Sequence, residues 1–278
     1  MTSTVVSLSE VSTFQTCEQQ WLYGYYFGYR SITPSYAIKA GVEGHKMLEN
    51  FYKNFRDTDN IKQATDYMYE MLPADKKTPP VVRAFMLVKN YIDTEFAAEA
   101  KDYESLHVEK KFFVPVSDNL IMALQPDLTK VYKKRRKLLE DYKFTGKAWS
   151  QKQLTQHKQL DVYDALLEDA GEPVDRSLLR FFNHETMKMT VFNKPVNRER
   201  RDRIKKHVIR VAERIAKIKR LSPEEIRERV SPTMNYMTCK FCPFVFPCSL
   251  ELEGKSAEKT FQMEYTKEHG YGYTIANN

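Results

Sequence analysis

The sequence predicts an α/β fold, a central mixed β-sheet flanked by helices. Two helical patterns come first, over Gly41–Glu70 and Val81–Ala100. Three runs rich in β-branched and aromatic residues follow, Leu106–Val116, Leu120–Tyr132 and Leu138–Phe144. Helical patterns then return. That order suits one sheet with helices on its faces.

Residues 1–35 are crowded with aromatic side chains: Trp21, Tyr23, Tyr25, Tyr26, Phe27 and Tyr29. Met47, Leu48 and Phe51 fall on a helical period in the first long helix, and Pro79-Pro80 separates it from the second. The three β-rich runs read as strands joined by turns, with Lys133–Lys137 as the exposed tip between the second and third. A helix is expected from Ser150 to Glu168, stopped by Gly171 and Pro173, and one or two strands over Leu178–Phe192. Ile204, Val208, Val211, Ile215 and Ile218 then make one apolar stripe of a basic helix. Ser222-Pro-Glu-Glu starts a short helix. The expected organisation is a catalytic core over 36–221 and a small cap built from both chain ends, 1–35 and 222–278.

The net charge of +7 is unevenly placed. Between Arg198 and Arg220 stand 11 Lys/Arg against three acids, so the rest of the chain is about neutral. Basic patches on a near-neutral body suit a polyanion such as DNA. The alternative for such a run is a solvated face. No apolar run approaches the roughly 18 residues of a membrane span, and no secretory signal opens the chain. The expected location is therefore cytoplasmic.

The most informative stretch is Gln125-Pro126-Asp127, thirteen residues, then Asp141-Tyr142-Lys143. Residues two apart on a strand share a face, so Asp141 and Lys143 project together, and Asp127 on the adjoining strand reaches the same place. Two carboxylates suit Mg²⁺ or Mn²⁺, which activates water and neutralises charge on a phosphate. A lysine beside them can stabilise the transition state. Taken alone, an Asp-x-Lys triplet is common surface decoration. His45, at the start of an amphipathic helix, is a further metal-ligand candidate. Gln159 and Tyr163, at i and i+4, face one way and are candidates to touch a phosphate or a base.

His45, Pro126-Asp127, Asp141-Tyr142-Lys143 and Gln159-x3-Tyr163, in this order, resemble the motifs of RecB-type PD-(D/E)XK nucleases over about residues 36–195. The resemblance implies a PD-(D/E)XK (restriction-endonuclease-like) core. It implies that His45, Asp127, Asp141 and the backbone carbonyl of Tyr142 bind the divalent metal. Lys143 would be catalytic together with Asp127 and Asp141, and Gln159 and Tyr163 would contact DNA. Arg135 and Arg136, at the basic tip, are further candidate phosphate contacts. The chain departs from the family in having Leu124-Gln-Pro where many members carry a glycine before the first aspartate. Glu109, on the first strand, is a weaker candidate for an outer-shell acid.

The four cysteines are Cys17, Cys239, Cys242 and Cys248. Three lie together as C-x2-C-x5-C and one stands 222 residues before them. A four-thiolate site holds zinc or an iron–sulfur cluster; four free or buried thiols are the alternative. The apolar Pro243, Phe244, Phe246 and Pro247 between the ligands favour a shielded cluster. One N-terminal and three C-terminal cysteines also resemble the iron–sulfur nucleases among the RecB-like proteins, such as the AddB subunit and the CRISPR-associated spacer-acquisition nuclease. That likeness implies a structural [4Fe–4S] cluster clipping the chain ends together.

The leading expectation is an exonuclease acting on single-stranded DNA ends. No G-x-x-x-x-G-K-[ST] phosphate loop occurs, so this is no helicase–nuclease machine. Stand-alone relatives of this size are also carried by phages, and partners would be recombination or replication proteins. The alternatives are a structure-specific endonuclease of the same fold, and a non-catalytic iron–sulfur or zinc DNA-binding module.

Overall fold

The protein was analysed as a computed structural model that describes residues 3–33, 35–72, 78–133, 136–147, 149–150, 153, 157–194 and 197–268. Strand β1 (Thr4–Ser7) leads into α1 (Leu8–Thr16), whose first turn is capped by the Ser7 hydroxyl accepting from Glu10 N. The aromatic N-terminal segment continues through α2 (Glu18–Trp21) to β2 (Tyr29–Ser31). The first long helical pattern is two helices, α3 (Tyr36–Thr58) and α4 (Ile61–Glu70). Asp59 turns left-handed between them at φ 50°, and Asn60 caps α4 by accepting from Gln63 N at 3.0 Å. The two prolines open α5 (Pro79–Tyr91), where a missing N–H breaks no helical bond.

The three strand-like runs become five strands: β3 (Tyr103–Val108), β4 (Phe112–Ser117), β5 (Leu120–Leu124), β6 (Leu128–Tyr132) and β7 (Lys137–Thr145). The expectation of a continuous strand over Leu120–Tyr132 is corrected at Gln125-Pro126-Asp127. Proline has no N–H to give a ladder, and the two halves join different sheets. Helix α6 (Gln159–Asp169) follows, and Gly171 leaves it at φ 74°. The helix expected from Ser150 begins at Gln159, and part of the stretch before it lies outside the described residues. Strands β8 (Arg176–Asn183) and β9 (Lys188–Lys194) form an antiparallel pair. The basic helix α7 (Arg198–Ile218) buries Val208, Ala212 and Ile215. Ser222 and Glu225 form a reciprocal capping box on α8 (Pro223–Arg229). Helix α9 (Val245–Leu252) and β10 (Tyr265–Lys267) complete the described chain. No described helix is long and apolar enough to cross a membrane.

The chain divides into two compact units. One comprises Ser35–Phe112 and Gln125–Lys205. Its sheet runs β3-β6-β7-β8-β9, antiparallel except for the parallel β7–β8 pair. Helices α3, α4 and α5 cover one face, packing Leu48, Phe51, Val88 and Tyr91 against Leu106, Leu128, Tyr142 and Phe182. Side chains alternate along β7. Tyr142 therefore enters this core, whereas Asp141 projects to the opposite face and accepts a hydrogen bond from Gln159 of α6.

A polar network is buried within that core. Lys130 of β6 and Glu140 of β7 are 1% exposed and lie 3.2 Å apart. Tyr142 donates to Glu140 at 2.8 Å, Tyr52 bonds both Tyr142 and Tyr91, and Arg180 reaches Glu140 at 3.5 Å. Burial pushes the Glu140 carboxyl up, but Lys130 and Arg180 outweigh it and hold Glu140 ionised, below its ordinary value. The pair is thus charged and almost fully hydrogen-bonded, which is the condition for burying ions without a large penalty.

The other unit comprises Met1–Pro34, Phe113–Leu124 and Lys206–Asn278. It contains a three-stranded sheet, β1-β5-β4, with β1 parallel to β5, and an antiparallel β2–β10 pair. Tyr23, Phe244, Phe261 and Tyr265 pack together as a small aromatic core, so residues from both chain ends share one interior.

Candidate active site

The β6–β7 register builds the site. Leu128 pairs with Glu140, so the next step of the ladder sets Asp127 opposite Asp141. Asp127 Oδ2 accepts from the backbone N–H of Tyr142 at 2.6 Å, using a donor just past the last β6–β7 pair. Asp141 Oδ2 lies 2.5 Å from Lys143 Nζ, and Asp141 Oδ1 accepts from Gln159 Nε2 at 2.8 Å. Gln159 Oε1 accepts from Lys143 at 3.2 Å, so one side-chain amide holds acid and lysine together. The Gln159 amide also donates to Tyr163 Oη at 3.1 Å, and Tyr163 Oη donates to the carbonyl of Gln125 at 3.1 Å. Tyr163 is buried, so in this structure Gln159 and Tyr163 brace the acid–lysine pair, and the tyrosine ring offers no open face for a base.

His45 of α3 approaches from the other side, with Nδ1 3.5 Å from Asp127 Oδ2. Burial, followed by Lys143, holds its imidazole down to about 4. At neutral pH the imidazole is therefore uncharged, with a nitrogen lone pair available to a metal. The ring packs edge-on against Phe144 at 5.5 Å, and Phe144 stacks on Phe182 at 4.8 Å. Gly44 makes this possible: a Cβ there would meet the Phe144 ring at 2.5 Å. The sequence reading passed over Gly44, although a glycine inside a helical pattern beside a candidate ligand is a signal of close packing.

Glu109 is closer to the centre than an outer-shell position. Ligand atoms of His45, Glu109 and Asp127 all lie within 4.8 Å of one another, the one such group of three among the described residues. Burial and then Asp127 push the Glu109 carboxyl up to about 7. Asp127 and Asp141 are each raised to about 6, chiefly by burial, with Lys143 opposing. Asp141 Oδ2 is buried without a well-angled hydrogen bond. Crowded, desolvated carboxylates beside a neutral imidazole fit a hard divalent cation.

Other expected contacts lie elsewhere. Arg136 sits at the far end of the β6–β7 hairpin, its guanidinium 5.8 Å from the Tyr132 ring centre. Five residues of strand separate Tyr132 from Asp127, roughly 16 Å. Arg135 lies outside the described residues. On α7 and just past its end, Arg200 pairs with Asp161, Arg201 with Glu168, Lys205 with Asp169, Arg214 with Glu18 and Lys219 with Glu10. Part of the basic run's charge is thus met by carboxylates of the same fold.

A profile of the PD-(D/E)XK nuclease superfamily matches residues 5–249. The chain belongs to that superfamily. Solved structures similar to it include one described as "Crystal structure of SSO0001", at 13% identity, covering 72% of this chain and 82% of that chain with a TM-score of 0.34. No curated protein sequence matches the chain significantly.

In the unit built from both ends of this PD-(D/E)XK chain, all four cysteines line one pocket of about 310 Å³, with Tyr23 and Phe244 among its walls. Thr233 N donates to Cys17 Sγ and Phe244 N to Cys242 Sγ, both at 3.4 Å. Burial, then the other three thiols, push Cys248 up to about 11. Holding all four as thiolates therefore requires a cationic centre.

The raised Asp127 carboxyl gives a stability prediction for the metal-free protein. Its folded value of about 6 exceeds the ordinary 3.8, so the native state holds the proton more tightly. The ionised form therefore destabilises the fold fully above about pH 6, and the penalty fades as pH falls through 6 towards 4. Asp127→Asn should raise the melting temperature at pH 8, with the gain shrinking steadily towards pH 4.5. Thermal unfolding in EDTA across that range checks it; a gain that does not change with pH would mean that the carboxyl is not shifted.

Proposed function

We propose that this PD-(D/E)XK protein is a Mg²⁺- or Mn²⁺-dependent deoxyribonuclease that acts on single-stranded DNA ends, and that its cysteines hold a [4Fe–4S] cluster. The observation that carries the nuclease reading is the cross-strand set Asp127, Asp141 and Lys143, faced by the neutral imidazole of His45. His45, Asp127 and Asp141 would hold the cation, with the Tyr142 carbonyl as the further ligand that the family pattern implies. When bound, the cation supplies charge neutralisation for the phosphate and activation of water.

The chain's own residues supply positioning and charge. Lys143 is fixed by Asp141 and Gln159, and its ammonium is available to stabilise charge that grows on the phosphate in the transition state. Gln159 keeps that ammonium and the Asp141 carboxylate in one plane of contact. Tyr163 ties Gln159 to the backbone before Asp127, so the two strands and α6 hold one geometry. The preference for single-stranded ends, and partners in recombination or replication, follow from the resemblance to RecB-like iron–sulfur nucleases.

For the cluster, the support is the apolar pocket that all four cysteines share and the backbone N–H groups that donate to two of their sulfurs. Hydrogen bonds and a dry shell are what tune and protect such clusters. Its role would be structural. Joining Cys17 to Cys239–Cys248 closes a long loop and so removes chain entropy from the unfolded state.

Two measurements test the reading. With Mn²⁺, end-labelled linear single strands should be shortened from an end while circular single strands survive, and Asp141→Ala should slow this about 100-fold or more. Cleaved circles would indicate the endonuclease alternative, and a wild-type rate in Asp141→Ala would refute the site. Protein purified without oxygen should be coloured and contain iron and sulfide in equal amounts, with both lost in Cys242→Ala. A colourless protein carrying one equivalent of zinc would refute the cluster.

A further inference from the structure

We propose that Glu109 is a direct ligand of the active-site cation, completing a His45–Glu109–Asp127 face; this rests on the metal-dependent reading above. Glu109 belongs to none of the family motifs matched in the sequence. Yet its carboxylate, the His45 imidazole and the Asp127 carboxylate bring ligand atoms within 4.8 Å of one another. An octahedral ion with bonds of about 2.1 Å separates its ligands by about 3.0 to 4.2 Å, so the three sites reach one ion with small side-chain adjustments.

Three features hold Glu109 there. Its backbone is left-handed at φ 48°, a conformation unfavourable for a residue with a Cβ. Glu109 N donates to the carbonyl of Asp127 at 3.1 Å, which ties the two acids together along the backbone. Gln125 Nε2 donates to Glu109 Oε2 at 2.8 Å, fixing one carboxylate oxygen and leaving the other for an ion.

Charge balance points the same way. Asp141 is matched by Lys143 at 2.5 Å, so that pair is neutral on its own. Even as a ligand, Asp141 is then already compensated, and Asp127 is the one uncompensated carboxylate for a divalent ion; Glu109 supplies the second. A neutral imidazole with two carboxylates also favours Mn²⁺ over Mg²⁺, which prefers oxygen ligands throughout.

The test is Mn²⁺ binding without DNA, read from the loss of the free-ion EPR signal on the full chain after dialysis against EDTA. Wild type should bind Mn²⁺ more tightly than it binds competing Mg²⁺. Glu109→Gln, which keeps shape and removes charge, should weaken Mn²⁺ binding at least tenfold at an unchanged melting temperature. Gln125→Leu, which releases the carboxylate without removing it, should weaken binding by a smaller factor. If Glu109→Gln and Gln125→Leu both bind Mn²⁺ like wild type while Asp127→Asn does not, Glu109 is no ligand and the metal-dependent reading survives. A wild type that neither binds Mn²⁺ nor cuts DNA refutes both.

Discussion

Strand β7 carries charged groups on both faces, and the two faces depend on each other. On one side, Glu140 and Tyr142 enter a buried network with Lys130, Arg180, Tyr52 and Tyr91. On the other, Asp141 and Lys143 meet Gln159. A shift of one residue in the pairing of β7 would exchange the faces, burying Asp141 and Lys143 among aromatic rings and stranding Glu140. The buried network is therefore a register lock. It fixes Asp127 opposite Asp141, and every later feature of the site follows from that placement.

The second constraint is electrostatic. Three carboxyl groups and an imidazole occupy a poorly hydrated corner with one ammonium among them. Burial raises every acid and suppresses the histidine proton, so the site is short of positive charge. That shortage both destabilises the metal-free protein above about pH 6 and creates affinity for a divalent cation. In the end-built unit, burial and then the neighbouring thiols likewise raise Cys248, and burial raises Cys242, in the pocket that all four cysteines line.

The fold was legible where the signal is local. Helical periods located α3, α5 and α7, Pro79-Pro80 and Ser222 marked the starts of α5 and α8, and the Asp127, Asp141 and Lys143 spacing reported two adjoining strands. Features set by distant contacts were not legible. The break between β5 and β6 exists because β5 pairs with β1, more than a hundred residues away. Lys130, Glu140 and Arg180 read as ordinary alternating strand charges until the helices that bury them are in place. Glu109 is brought inward by a backbone turn and a hydrogen bond to Gln125, neither of which leaves a periodic trace. The ion pairs of the basic run were likewise not legible, because their acids, Asp161, Glu168, Asp169, Glu18 and Glu10, are scattered through the sequence.

The central claim is that β7 presents Lys143 as a catalytic charge beside a metal-binding carboxylate. Single-turnover cleavage of DNA by Lys143→Ala at saturating Mn²⁺ tests it most directly. The chemical step should slow by about two to three orders of magnitude, while Mn²⁺ affinity stays the same or rises because a neighbouring cation is gone. A normal rate with weakened Mn²⁺ affinity would contradict the account and make Lys143 a support for the site instead of a catalyst.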